Sequence, residues 1–406
     1  MRRKNIDNLF KDNHFIKLED VFSAYFDCRK NKRNKLDALE FELDFETELI
    51  KLWEDINSNK YEVKPLDVFI SERPVKREIF AAQFRDRVVH HLVINKLENI
   101  FEKEFIYDSY SCRKGKGTHF GIKRVKKMMR SCSKNYKKDC FVLKLDIQGY
   151  FMSINKDILL EKLKNFINEK YKEKDKEKVV WLCEKIINKD CIKDCKIRSP
   201  KNKWRGLPKS KSLFYAHKRC GLPIGNYTNQ VFANFYLNSF DHFIKHNLKI
   251  KYYARYVDDF LIFSERKNEL INIMGKTKDF INDELNLTLH PRKIYLQNIS
   301  KGFEFLGVFI KPWRSYITPR VKNNFWISIE EINEKLKDKG WYEKNEKQKI
   351  LFKINSHLGV LNHCNTYNLK KKILDKLRPE FWKCFETGEG FIKVILKNRV
   401  KTFENK

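Results

Sequence analysis

Apolar residues in LDALEFELDFETELIKLWEDI (36–56) return every three or four positions, the spacing of an amphipathic helix, and residues 1–60 read as mostly helical. The period then changes. YEVKPLDVFISERPVKREI (61–79) reads as short strands interrupted by Pro65 and Pro74. FRDRVVHHLVINKLENIFEKEF (84–105) returns to helical spacing, and YSCRKGKGTHFG (110–121) is a glycine-rich basic loop. CFVLKLDIQGYFMSI (140–154) predicts an apolar strand running into a turn and a helix. Residues 156–188 form a charged helical pair, and 189–219 a Lys-rich, Cys-containing irregular segment. GNYTNQVFANFYLNSFDHFIKH (225–246) predicts one helix, YYARYVDDFLIF (252–263) a hairpin, and 266–286 another helix. Strands follow around LHPRKIYLQ (289–297) and FEFLGVFI (303–310), and residues 320–406 have helical periodicity. The order strand, helix, helix, hairpin, helix, strand predicts an α+β core with helices packed on one face.

One feature of this pattern needs a physical reason. Asp258 and Asp259 lie side by side between two apolar runs, and Asp146 ends the apolar strand FVLKLD. Carboxylates are rarely buried without a positive partner. Three of them at the tips of neighbouring strands would repel one another unless cations lay between them. Hard oxygen ligands select Mg²⁺ or Mn²⁺. Two such ions about 3.5–4 Å apart form the arrangement for in-line phosphoryl transfer. An Asp-Asp pair taken alone is more often a hairpin turn. The flanks RYV and FLIF and the upstream KLDIQGYF favour the metal site.

Composition sharpens the choice of substrate. The 406 residues contain 85 Lys and Arg against 53 Asp and Glu, a formal charge of +32. Such a surplus favours a polyanion, nucleic acid first and an anionic membrane surface second. Lysine as mere surface decoration is the plainer alternative. Hydrophobic residues at 42% are enough for a real core despite 34% charged residues, so disorder is excluded and two or three packed subdomains are expected. No apolar run is long enough to span a bilayer, and the start MRRKNIDNLF lacks the apolar centre of an export signal. The ten cysteines are therefore expected as reduced thiols, in a cytoplasmic protein of bacterial or phage origin.

These motifs carry a resemblance. YARYVDDFLIF resembles the Tyr-x-Asp-Asp motif of reverse transcriptases, LKLDIQGYFMSI their motif A, and GLPIGNYTNQVFANFYLN their motif B. LTLHPRKIYL and FEFLGVFI are similar to motifs D and E, while IFAAQFRDRVVHHLVINKL and YSCRKGKGTHFGI resemble the upstream fingers motifs. The match runs in order over roughly 62–312. It implies a right-hand polymerase with fingers, a ferredoxin-like palm and a helical thumb. The implied division is an N-terminal helical extension at 1–60, fingers and palm at 61–312 with a charged insertion at about 165–215, and a thumb at 313–406. Within the family, the chain looks most like the diversity-generating retroelement group, which carries Ile-Gly-x-x-x-Ser-Gln where other branches carry Gln-Gly-x-x-x-Ser-Pro. Here Ile224, Gly225 and Gln230 are kept and Asn229 replaces the serine. The stretch INSHLGVLNHCNTYNLKKKIL (354–374) also resembles that group's thumb. Antiphage defence reverse transcriptases share much of this pattern.

The resemblance implies roles. Asp146 and Asp258 would be direct ligands of two Mg²⁺ (or Mn²⁺) ions, Asp259 would support them, and the Ile147 carbonyl would add a backbone ligand. Phe151 would be the steric gate against a ribose 2′-hydroxyl, or else a core aromatic. Arg113 would bind the triphosphate of an incoming dNTP. Lys76 and Arg77 would belong to the same fingers lattice, unless either of these two is an ordinary solvated base. Lys293 would protonate the leaving pyrophosphate or merely contact phosphate. Ile224 and Gly225 would lie against the templating base pair with Gln230 nearby. Tyr256 would pack near the primer end, and Phe305, Leu306 and Gly307 would form the primer grip.

Cys191, Cys195, His217 and Cys220 sit in CIKDC and HKRC, spacings that could close a structural zinc site, although neither has the common C-x₂-C form. Incidental cysteines are commoner, and zinc is not the expected cofactor. Three functions compete: a polymerase copying a dedicated noncoding RNA into DNA for diversification, a defence enzyme making DNA from an associated RNA as repeats or from a protein primer, and an RNA-binding scaffold without catalysis. The intact acids weigh against the last. The expected partners are a structured template RNA, the DNA product and dNTPs, with 1–60 and 320–406 as docking surfaces for RNA, an accessory protein or a second copy. No membrane partner is expected. No RNase H-like segment is recognisable.

Overall fold

The structure, a computed structural model, describes residues 15–30, 32–33, 35–339 and 344–397. The start of the N-terminal extension, including MRRKNIDNLF, and the end of the thumb segment lie outside the described residues. The chain divides into two interleaved compact units, one of Met1–Gly117, Leu143–Ile262 and Asn268–Tyr295, the other of Thr118–Val142, Phe263–Lys267 and Leu296–Lys406.

The first unit opens with helices α1 (Leu18–Arg29), α2 (Leu36–Glu42) and α3 (Phe45–Asn57). Tyr25 stacks on Phe45 at 5.0 Å, and Trp53 donates its indole N–H to the Ile16 carbonyl at 2.7 Å. Strands β1 (Leu66–Ser71) and β2 (Arg77–Ala81) form an antiparallel hairpin, and the long α4 (Phe84–Glu104) follows. Helix α5 (Thr118–Cys132) belongs to the second unit.

Strand β3 (Phe141–Asp146) leads through a turn into the short α6 (Tyr150–Ser153). Helices α7 (Lys156–Lys170) and α8 (Lys176–Asn188) are the charged pair, and the Asn155 side chain caps α7 by accepting from the Asp157 and Ile158 N–H groups. The next segment is less irregular than its composition suggests. It contains β4 (Cys195–Ile197), which pairs in parallel with β1, and three short 3₁₀ turns. Three residues among lysines give too little period for sequence to reveal a strand.

The stretch 225–246, expected as one helix, is broken. It forms α9 (Tyr227–Tyr236), α10 (Asn238–His242) and a π-helical turn at Phe243–Asn247, with Leu237 leaving helical geometry at ψ 3°. Strands β5 (Tyr252–Tyr256) and β6 (Asp259–Ser264) form the predicted hairpin, followed by α11 (Lys267–Leu285) and β7 (Tyr295–Asn298). The sheet has the order β5-β6-β3-β7. With helices between β3 and β5 and between β6 and β7, this is the β-α-β-β-α-β ferredoxin-like arrangement. Its inner strands are apolar and buried, with Phe260, Leu261 and Ile262 each at 0% exposure, so the charged tips stand out against them.

The second unit holds a three-stranded antiparallel meander of β8 (Phe303–Phe305), β9 (Val308–Lys311) and β10 (Arg314–Ile317). Helices α12 (Pro319–Lys339), α13 (Lys344–Leu361), α14 (Tyr367–Leu374) and α15 (Pro379–Trp382) follow. They pack Phe325, Ile329, Ile354, Leu358 and Ile373 into one core. The C-terminal segment is not wholly helical: β11 (Phe385–Thr387) and β12 (Val394–Leu396) close it with a hairpin.

Candidate active site

Strand alternation places Lys144 and Asp146 on the same face of β3. The β5–β6 hairpin turns through Val257 and Asp258 and brings Asp258 and Asp259 to the neighbouring strand tips. Val257 has φ +57°, a conformation that hairpins usually assign to glycine and that a β-branched residue adopts only under constraint. Burial pushes the Asp258 carboxyl up to about 6, and the neighbouring Asp146 and Asp259 push the same way. Burial also raises Asp259 to about 6, against the pull of Lys144. The lysines answer this crowding. Lys293 Nζ donates to both Asp146 oxygens at 2.9 Å, and Lys144 lies 3.1 Å from Asp259. Asp259 Oδ1 is buried with no hydrogen-bond partner.

A second set of charges supports the hairpin from beneath. Arg255 is fully buried and pairs with Asp241 of α10, its Nε donating at 2.7 Å. Its other N–H groups donate to the Asn234 side-chain oxygen at 2.8 Å, the Asn234 carbonyl at 3.1 Å and the Val257 carbonyl at 3.0 Å. Tyr253 donates to the same Asp241 at 2.6 Å. The break between α9 and α10 therefore lies between the two residues that grip Arg255. Sequence reasoning missed this network. Its one signal was an arginine inside an otherwise apolar strand, ARYV.

The turn after Asp146 uses Gly149 at φ +55°, where a Cβ would lie 2.7 Å from the Ser210 carbonyl. Ile147 is buried and bridges Leu289, but the bridge bonds run through the Gln148 N–H and the Asp146 carbonyl, not the Ile147 carbonyl. Phe151 is half-buried, its ring edge-on to Tyr150 at 5.6 Å. Phe151 and Ile224 pack against the same apolar cluster, so the structure brings these two predicted pocket residues together. The Ile224 carbonyl accepts from the Phe80 N–H at 2.8 Å, and Asn226 Oδ1 accepts from the Ala82 N–H at 3.0 Å. Gly225, at φ +128°, passes so close to β2 that a Cβ would meet the Phe80 carbonyl at 3.0 Å. Asn229, standing where the resemblance expects serine, donates to the Pro223 carbonyl at 3.0 Å and closes the same turn. Gln230 accepts from the Cys112 thiol at 3.5 Å, and Tyr256 ends β5 half-buried.

Arg113 is placed differently from the expectation that it binds triphosphate. Its side chain is 4% exposed, and the guanidinium donates to Glu102 and to the Ile106 and Ser109 carbonyls at 2.6 and 2.9 Å. It clamps the basic loop to the end of α4, and its donors are spent there. Lys76 reaches the Arg205 carbonyl at 2.8 Å, whereas Arg77 is exposed on β2. In the second unit, Leu306 and Gly307 form the tight β8–β9 turn at φ +51° and +82°. Phe305 is fully buried beneath it, so of the three expected grip residues Leu306 stands at the tip and Phe305 supports it from the core.

Among the described residues, no three or more His, Cys, Asp or Glu side chains are set as a ready-made metal site. For the Cys/His candidates the reason is local. The Cys191 thiol is buried and points to the Lys189 carbonyl, and burial pushes it up to about 11. Cys195 turns to the Ile192 carbonyl, His217 is exposed, and Cys220 bridges Asn155 through its backbone. For the aspartates the chemistry differs. The donors are all oxygen, two carboxyls are raised by burial and crowding, one buried oxygen is orphaned, and two lysines occupy positions where positive charge is needed. These residues fit a hard divalent cation.

Residues 75–310 match the family described as reverse transcriptase (RNA-dependent DNA polymerase). Among curated proteins, the chain is 23% identical to Protein YkfC of Escherichia coli (strain K12) over 294 residues, covering 64% of this chain and 70% of that protein. It is 20% identical to a putative COX1/OXI3 intron 2 protein of Saccharomyces cerevisiae over 340 residues, covering 68% of this chain and 36% of the yeast protein. Among solved structures, apo telomerase from Candida tropicalis, truncated from its C-terminal domain, aligns with a TM-score of 0.47 at 12% identity, over 63% of this chain and 55% of that one. Telomerase from Candida albicans, solved with a fragment of telomeric RNA, aligns at 0.45 and 10%, over 85% and 67%. No described helix is long and apolar enough to cross a membrane. With more than half of its length matched and the aspartates at the tips of a ferredoxin-like sheet, the α+β chain belongs to the reverse transcriptase family, RNA-directed DNA polymerases.

Proposed function

We propose that this protein copies a dedicated noncoding RNA into DNA in a diversity-generating type of retroelement. The observation that carries the polymerase part is the trio Asp146, Asp258 and Asp259, crowded at adjacent strand tips, with Lys293 on Asp146 and Lys144 on Asp259. These residues would hold Mg²⁺ or Mn²⁺, which when bound would neutralise charge on the triphosphate and lower the pKa of the primer hydroxyl. The chain's own groups do the rest. Lys293 Nζ, now resting on Asp146, is within reach of the site to give a proton to the departing pyrophosphate. The Phe151 ring, braced by Tyr150, excludes a ribose 2′-hydroxyl. Gly225 permits the close approach of β2, and Ile224 presents an apolar face where other branches carry glutamine.

That isoleucine supports the diversifying reading. An apolar side chain gives no hydrogen bond with which to check a base pair, so misincorporation is tolerated. The second reading is a defence enzyme that makes DNA, repetitive or protein-primed, from an associated RNA. The Asn229 departure favours keeping it in view. Sequencing the RNA that co-purifies with the protein, together with any attached DNA, tests both. DNA altered mainly opposite template adenines is expected. A faithful or repetitive copy that rises on phage infection would replace the first reading with the second. Asp258→Ala with Asp259→Ala should abolish DNA synthesis while RNA still binds; full biological function in that variant would show the chain to be a scaffold.

A further inference from the structure

The segment 189–219 carries eleven Lys and Arg residues against two Asp, yet it is a built element. Its anchor is Glu78 of β2, only 1% exposed, which accepts from Trp204 Nε1 at 2.6 Å, Ser212 Oγ at 2.8 Å and the Leu213 N–H at 2.6 Å. The Ile70 N–H donates to Ser199 Oγ at 3.1 Å, and the Arg198 N–H to the Val68 carbonyl at 2.7 Å. Some of its cations serve the fold: Arg198 pairs with Asp67, Lys203 with Glu72 and Arg219 with Asp157. Lys201, Arg205, Lys209 and Lys211 are exposed on the 3₁₀ turns and the link between them. Lys209 Nζ lies 5.3 Å from the ring of Tyr215, itself 61% exposed. Ser210 packs on Gly149, three residues after Asp146.

A rigid array of like charges repels itself unless an anion meets it. Glu78 fixes the backbone that carries these cations, and Ser210 sets it against the turn that follows Asp146. We propose that residues 201–215 form a shelf that binds the phosphate backbone of the nucleic acid being copied, with Tyr215 as an exposed stacking surface. The proposal rests on the reverse-transcriptase reading. Phosphate chemistry has two sources here, the strand backbone and the dNTP triphosphate. The shelf is assigned to the strand, because its exposed cations are spread along a dozen residues rather than converging on one point.

The test compares two variants of equal charge loss in the full chain. One carries Lys201→Ala, Arg205→Ala, Lys209→Ala and Lys211→Ala. The control carries Lys172→Ala, Lys174→Ala, Lys276→Ala and Lys278→Ala, all exposed and remote in sequence from the shelf. Each is titrated with a short RNA–DNA hybrid across a salt series, without dNTP. The shelf variant should bind about ten-fold or more weakly at about 0.15 M salt, with a log–log salt slope shallower by about 2–3, and the control should shift by less than about 1. At saturating hybrid, the KM for dNTP should stay unchanged. Equal loss in both variants, no loss in either, or a raised KM with intact hybrid binding would overturn the shelf. Hybrid binding lost with the shelf in a protein that makes no DNA would instead remove the polymerase reading and leave the shelf standing.

Discussion

At Asp258 and Asp259 the sign of the linkage is fixed by burial. Each folded-state carboxyl sits at about 6, above its ordinary value. Below the ordinary range both native and unfolded chains are protonated, and nothing is gained or lost. As pH rises towards 6 the unfolded chain releases protons that the native site still holds, so stability falls, by up to about 3 kcal/mol per carboxyl. Asp258→Asn should therefore raise the melting temperature of metal-free protein by about 2–5 °C at pH 7.5 and leave it unchanged at pH 4, as calorimetry can show. Activity moves the opposite way and should be lost as pH drops through about 6. Mg²⁺ binding near that pH should release protons, which calorimetric titration in two buffers would detect. The aspartates were legible in the sequence because a charge in an apolar run always asks for a partner. Arg113 was misread for the complementary reason: a basic loop looks the same whether its arginine faces a ligand or Glu102. The left-handed Val257 had no signal, since nothing local distinguishes a constrained valine from an extended one.

Among the elements, the β5–β6 hairpin depends on two helices for its shape. The Arg255–Asp241 pair is buried, and removing one partner leaves a bare charge. Asp241→Asn or Arg255→Met should each cost about 3–5 kcal/mol in denaturant unfolding, and the double variant less than the sum. Because Arg255 also holds the Val257 carbonyl, Arg255→Lys should lower kcat more than it raises the dNTP KM. Gly225→Ala should be severe, since a Cβ there meets the backbone of β2 in a φ that suits only glycine. The strands and helices of the palm were readable from period alone. The break after α9 was not, because eight of the ten α9 residues are buried, Thr228, Asn229 and Asn234 among them, so its apolar and polar positions do not sort into a buried and an exposed face. Strand β4 was hidden because its pairing partner, β1, lies far away in sequence.

For the whole molecule, the formal charge of +32 sets the conditions under which any of this can be measured. RNA affinity should fall by about 10³-fold or more between 50 and 200 mM salt if six or more phosphates are engaged, as filter binding would show. A weaker dependence would mean that much of the charge is surface decoration. The basic balance and the ordered motifs made the polymerase class legible from the chain. Which cations are committed to the fold and which are exposed was not, because that depends on where Asp67, Glu72 and Asp157 fall in three dimensions.

Glu78 ties these scales together in a way that reaches beyond this one chain. A carboxylate sealed under residues 199–215 is tolerable only while that segment supplies its three donors. Trimming 199–215 to make a smaller enzyme would strand that charge and unsettle β2, although no residue of β2 had been touched. The two features should then be inherited as a pair: relatives that lack a segment like 199–215 should carry an uncharged residue at the position of Glu78, and those that have one should carry the acid as well.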